Sequence, residues 1–191
     1  MAFKAKEIIP IIEPKNVFVG NPQAPVTLME FGEYENEDCA KANEVVKKLL
    51  KEFGEKLRFN FRHFPLTKIH QRSMKAGEAA VGAAQEGKFW EMHNILFENR
   101  KQLGTISLKL YSKEAGVTNK NFLTQLVDST YGWQVHSDHL EGVEKGVKDI
   151  PAFFINGELY TGKVTFVDLR KAIENALTKA KVKPLTKQKR A

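Results

Sequence analysis

The sequence predicts an α/β fold in the order βαβ, a block of helices, then ββα. Three observations predict it: strand-like runs at 26–31 and 57–63 flank a helical pattern, no convincing strand falls between about 69 and 147, and residues 152–161 read as strand, Asn-Gly turn, strand. At 191 residues, with 42% hydrophobic side chains, the chain is long enough for one domain with a sizeable core.

The first strand, 26–31 (VTLMEF), follows a turn-like stretch at 20–25 and reads as buried. From Cys39 onward Ala40, Ala42, Val45, Val46, Leu49, Leu50 and Phe53 recur at three- and four-residue spacing, an amphipathic helix ending near Gly54. The next run, 57–63 (LRFNFRH), alternates apolar and polar residues, and a strand–helix–strand unit of this length implies parallel pairing through a right-handed crossover. Helical patterns follow at 69–85, 89–99, 107–115, 119–128 and 133–145, with Thr118 placed as an N-cap for Phe122 and Leu126. Strand character returns at 152–155 (AFFI), turns at Asn156-Gly157, and resumes over 158–161 as a hairpin. A last helix begins at Thr165, where Asp168 stands in the Glu place of a capping box, and runs to about Lys179.

Charge and cysteine usage narrow the function. The formal charge is +7, but Lys179, Lys181, Lys183, Lys187, Lys189 and Arg190 supply six of the positives and no acid follows Glu174, which leaves the rest near +1. A basic end holding Pro184 reads as a solvated tail, so neither nucleic acid nor an anionic membrane is expected as a partner. The opening residues hold too short an apolar stretch for a signal peptide, and nothing approaches the roughly 20 apolar residues of a membrane span. A single cysteine, Cys39, excludes an intramolecular disulfide and a Cys-rich zinc site. These features predict a cytoplasmic protein in a reducing compartment.

Four strings then resemble one family, the DsbA-like thiol:disulfide oxidoreductases. They are FGEYENEDCAKANEVV (31–46), FRHFPL (61–66) with His70, GKFWEMHNILF (87–97) and GVKDIPAFFING (146–157), in that order and spread over about 17–177. The resemblance implies a thioredoxin-like fold with a helical subdomain inserted after the second strand. Its organisation is an N-terminal extension (1–16), a thioredoxin-like domain (17–66 and 146–178), the helical insertion (67–145) and a basic tail (179–191). It also implies a cis bond between Ile150 and Pro151, in a loop that offers backbone groups to an extended peptide.

Laid on the family's Cys-x-x-Cys motif, the sequence reads N-E-D-C. Asn36 stands at the nucleophile position and Cys39 at the resolving position, with Glu37 and Asp38 between them. The chemistry needs a thiolate at the helix start and a second thiol to release the mixed disulfide. An amide supplies neither, so the active site is degenerate. Asn is among the best N-cap residues, and Glu37 and Asp38 complement the helix dipole while opposing a Cys39 thiolate. Cys39 therefore reads as an inert buried thiol, against the alternative of a sensing or monothiol role.

Other candidates carry plainer readings. His136 and His139 share a helix face but lack further ligands, so no metal and no cofactor is expected. His63, His70 and His93 read as hydrogen-bonding residues, and Phe89, Trp90, Phe97 and Trp133 as core. Gly77, Gly82 and Gly87 lie in a helical pattern and make no phosphate loop. The expected function is a DsbA-like module without dithiol activity that binds a peptide or protein partner in a concave apolar groove at Asn36, Glu37, Asp38, Ile150 and Pro151. The alternatives are a residual monothiol or glutathione-dependent oxidoreductase or transferase using Cys39 or Asn36, and a homodimer formed through the same face.

Overall fold

The computed structural model describes residues 11–182; the first ten residues and the basic tail from Lys183 onward lie outside the described residues. Five strands form one sheet: β1 (Phe18–Gly20), β2 (Val26–Gly32), β3 (Leu57–His63), β4 (Ala152–Ile155) and β5 (Glu158–Leu159), in the spatial order β1-β3-β2-β4-β5. The long helix α1 (Glu37–Phe53) joins β2 to β3, which run parallel from Val26↔Leu57 to Gly32↔His63. Between β3 and β4 lie α2 (Ser73–Ala84), α3 (Phe89–Glu98), α4 (Thr105–Glu114), α5 (Phe122–Val127) and α6 (Gly132–Glu144), and α7 (Phe166–Val182) closes the described chain.

The structure corrects the sequence reading in a few places. The short strand β1, antiparallel to β3, precedes the expected first strand. Thr118 does not cap α5: its N–H and hydroxyl both bond Glu86, and Asn121 occupies the cap without a side-chain bond. The hairpin's second strand is two residues long. At α7 the Thr165 hydroxyl accepts from the Asp168 N–H at 3.2 Å and donates to the Asp168 carboxylate at 2.6 Å, so the acid returns to the hydroxyl instead of the cap N–H. Trp133 is 67% exposed, while Phe89 and Phe97 are buried as core.

Strand alternation sorts the β2 and β3 side chains onto two faces. Glu30 and Phe61 point toward α1, whereas Phe31 and Arg62 point toward α6. The approach of α6 depends on Gly142, where a Cβ would sit 2.6 Å from Phe64 Cδ2 and 3.0 Å from Phe31 Cδ1. Phe64 cannot swing aside easily, because its other side stacks on His139 with ring centroids 4.3 Å apart. Gly142→Ala sets an overpacking cost of about 1–3 kcal/mol against a helix-propensity gain of about 1 kcal/mol. The expected outcome is a small net loss of stability in urea denaturation; a net gain would show that Phe64 yields.

Candidate functional site

The parallel pair ends at Gly32 and His63, and β4 begins at Ala152 opposite Phe31, so three connections gather at one end of the sheet: 33–36, 64–72 and 145–151. Open α/β sheets place ligands outside the carboxyl ends of their strands, and this is that end. The Ile150–Pro151 peptide bond here is cis; Ile150 is buried and Pro151 half-buried.

At the start of α1, Asn36 has extended backbone angles and its Oδ1 accepts from the N–H groups of Asp38 and Cys39, each at 2.9 Å. This is a full side-chain cap. Glu37 and Asp38 are exposed in the first turn and share Lys41 at 3.2 Å, while Arg100 reaches Glu37 at 3.1 Å. Their charges complement the helix dipole and are offset by these two cations.

Cys39 is 0% exposed. Burial pushes its thiol far above the ordinary range, the Glu30 carboxyl pushes the same way, and a backbone N–H of Glu33 opposes them. Glu30 is a residue the sequence reading missed. It is buried, its Oε1 has no hydrogen-bond partner, and burial holds its carboxyl well above the usual carboxylate range. A Cβ added at Gly32 would meet Glu30 Oε1 at 2.9 Å and Cys39 Sγ at 3.1 Å, so acid and thiol line the same small space. The signal was available, since Glu30 is in phase with Val26 and Leu28 on the inward face of an apolar strand.

The Glu30 proton has a stability consequence. The folded protein keeps this carboxyl neutral to higher pH than the unfolded chain does. Stability tied to it is therefore complete below about pH 4.5 and is lost as pH rises through the folded-state value. Glu30→Gln is expected to flatten that decline. Urea midpoints measured across a pH series check it, and parallel profiles for the two proteins would contradict it.

Two further residues at this end come from distant sequence. The Glu33 side chain is fully buried; its Oε2 accepts from the Glu35 N–H at 2.8 Å and its Oε1 pairs with His70 Nδ1. Burial raises the Glu33 carboxyl, while the Glu35 N–H and His70 pull it down. Glu35 in turn accepts from the Arg72 N–H at 2.7 Å, so segments 33–36 and 70–72 are tied together. Deeper in, His93 Nε2 donates to Asn43 Oδ1 at 3.2 Å, which leaves Nδ1 to accept from the buried Tyr34 hydroxyl at 3.1 Å. Burial holds His93 well below the usual imidazole range, with His63 adding to the effect, so it is a neutral core residue.

A cleft of about 800 Å³ lies between the β4–β5 hairpin and α7, lined by Ile155, Leu159, Tyr160 and Ala176. Among the described residues no cluster of three metal-ligating side chains occurs, and no helix is long and apolar enough to cross a membrane. His136 faces solvent beside Trp133, and His139 packs on Phe64.

A sheet of this order with helices inserted between β3 and β4, a helix starting beside a cis-proline loop and a buried acid beneath it define a thioredoxin-type protein of DsbA-like architecture. The chain belongs to the thioredoxin family: the family model described as "Thioredoxin" matches residues 13–175. It is similar in structure to BdbD from Bacillus subtilis in its oxidised form, with TM-score 0.78 and 23% identity over 87% of this chain and 93% of that one. It is also similar to a thioredoxin-like oxidoreductase from Silicibacter pomeroyi, with TM-score 0.74 and 23% identity over 85% and 92%. At these identities the likeness is one of fold. Among curated relatives it is 29% identical over 177 residues to Na(+)/H(+) antiporter NhaA 3 of Salinispora tropica and 30% identical over 178 residues to NhaA 1 of Salinispora arenicola. Each match takes in 93% of this chain but only 27% of the relative's length.

Proposed function

We propose that this protein is a thioredoxin-family binding module that has lost dithiol exchange and engages an extended peptide or protein partner at the face formed by Asn36 and the Ile150–Pro151 loop. The observation that carries the reading is the pairing of Asn36 with Cys39. The residue at the helix start is spent as a cap on the amides of Asp38 and Cys39, and the one thiol of the chain lies buried against Glu30. A thiol so placed is neither a thiolate nor within reach of a substrate disulfide, and no second thiol exists to resolve a mixed disulfide.

The retained loop geometry supports peptide binding by strand addition, with backbone groups beside β4 as the template. The antiporter relatives add a setting in which a segment similar to this chain makes up about a quarter of a larger protein, which fits a partner-binding role. The lone cysteine fits a reducing compartment, and the cytoplasm is the location proposed.

Titration of native and urea-unfolded protein with a thiol reagent, alongside insulin reduction, tests the reading. Cys39 is expected to stay unreacted in the native state, react fully on unfolding and support no turnover. Insulin reduction that disappears in Cys39→Ser would overturn it.

A further inference from the structure

Helix α6 turns an apolar strip to solvent. Trp133, His136, Leu140 and Val143 follow one another at spacings of three, four and three residues, which places them on one side of the helix. Trp133 is 67% exposed, Leu140 42% and Val143 54%. Val135, Asp138 and Gly142 form the opposite, buried side, so the strip is what remains once α6 has packed on β3 and α2. The Trp133 and His136 rings lie 5.7 Å apart, so the indole rests against the next member of the strip.

The two ends of α6 are unbalanced in charge. The cap residue Tyr131 makes no side-chain bond, the first turn holds no acid, and the N–H groups of Trp133 and Gln134 find no acceptor among the described residues. The last turn holds Glu141 and Glu144 and no basic residue. Glu141 is offset by Arg62 and Lys145, whereas Glu144 is exposed and makes no ion pair among the described residues. A carboxylate is unfavourable at this end of a helix dipole and favourable at the other.

We propose that a second copy of this chain docks on the strip, with α6 packed antiparallel against α6. A two-fold axis at the level of Asp138 sets Trp133 opposite Val143 and His136 opposite Leu140, a knobs-into-holes seam with a large side chain facing a small one at each end. The same axis brings Glu144 of each copy to the first turn of the other, where the Trp133 and Gln134 amides lack acceptors. One contact thus supplies the missing acid at both N-terminal ends and a partner for both unpaired carboxylates. A parallel pairing would set Glu144 against Glu144 and align the two dipoles, so charge selects the antiparallel arrangement. None of these residues belongs to the face at Asn36 and Pro151 on which peptide binding is proposed.

The size of the strip sets the strength of the contact. The 13 residues of α6 span about 20 Å at a width of about 10 Å. That footprint is well below the roughly 800 Å² that each partner buries in a standard interface. The dimer is therefore weak and reversible, and the single chain predominates at low concentration.

The test is sedimentation equilibrium on the full 191-residue chain over a concentration series. The series reaches about 1 mM, the range in which weak interfaces close. The mean mass is expected to rise from that of one chain toward that of two. Leu140→Glu, which places a charge at the centre of the strip, should raise the dissociation constant at least about tenfold. Glu144→Lys should raise it about threefold or more while leaving the single chain at least as resistant to heat, since a cation suits the C-terminal end of α6. A substitution that merely damaged the fold would lower both association and heat resistance. If Leu140→Glu fails to fold, Glu144→Lys decides alone. The mass of one chain throughout the series overturns the pairing and leaves the strip to a foreign helix. A dimer that persists unchanged in the variants overturns it too and assigns the contact to another face, the one at Asn36 included.

Discussion

Asp138→Ala is expected to destabilise the protein by about 3–5 kcal/mol, the cost of leaving a buried charge without its partner. Asp138 is 2% exposed and is the acceptor on which the α6 face of the sheet converges. Its Oδ1 takes Arg62 Nε at 2.6 Å and its Oδ2 takes the His63 N–H at 3.0 Å and His63 Nδ1 at 2.9 Å. Removing it strands the Arg62 guanidinium, whose side chain is 5% exposed, and two donors of His63. Glu141 also touches Arg62 but is partly exposed, which moves the expected loss toward the lower end of the range.

For a chain of this size a loss of that order lowers the melting temperature by roughly 6–20 °C. It is also a large share of a typical total stability of about 5–15 kcal/mol. Replacing Arg62 and Asp138 together by apolar residues should recover only part of the loss, because His63 would still lack its acceptor. Urea denaturation of the parent protein and the two variants measures this. A loss below about 1 kcal/mol for Asp138→Ala would mean that water reaches Arg62 once the carboxylate is gone.

The Arg62–Asp138 pair also marks the limit of what the sequence discloses. Strands β3 and β4 were legible to the residue, because alternation and the Asn-Gly turn are local; Asn156 and Gly157 do carry the positive φ angles such a turn needs. The start of α1 was legible for the same reason, since a cap reads its own next three residues. Strand β1 was not, being three residues long with two of them exposed and held only by its pairing with β3. Thr118 misled because a good capping residue three positions too early found Glu86 across the fold.

Partners 75 residues apart, such as His63 and Asp138, or 37 apart, such as Glu33 and His70, carry no local pattern. Each half looks like an ordinary polar residue until the sheet brings its elements together. Glu30 lies between these cases. Its phase in β2 shows that it is inward, but only the placement of Gly32 and Cys39 shows what it faces.

Asn36→Cys is expected to reduce insulin at a rate at least about tenfold above that of the parent protein. The two N–H groups that now bond Asn36 Oδ1 at 2.9 Å would face a sulfur at position 36, and amides at a helix start are what lowers a thiol's pKa. Cys39 lies one turn along, as a resolving thiol must, and the nearby Glu30 carboxyl can exchange a proton with it. Against this stand Glu37 and Asp38, whose charges oppose a thiolate, but Lys41 and Arg100 already offset them. The amides act at hydrogen-bond distance and the acids do not, so the amides should win. The new thiol is then expected to titrate below the ordinary value of about 8.5, measured by the pH dependence of its alkylation. A thiol at position 36 that titrates at or above that value, with no insulin reduction, would mean that the acidic pair decides the electrostatics of this helix start. The proposed loss of redox chemistry would then rest on Glu37 and Asp38 as well as on Asn36.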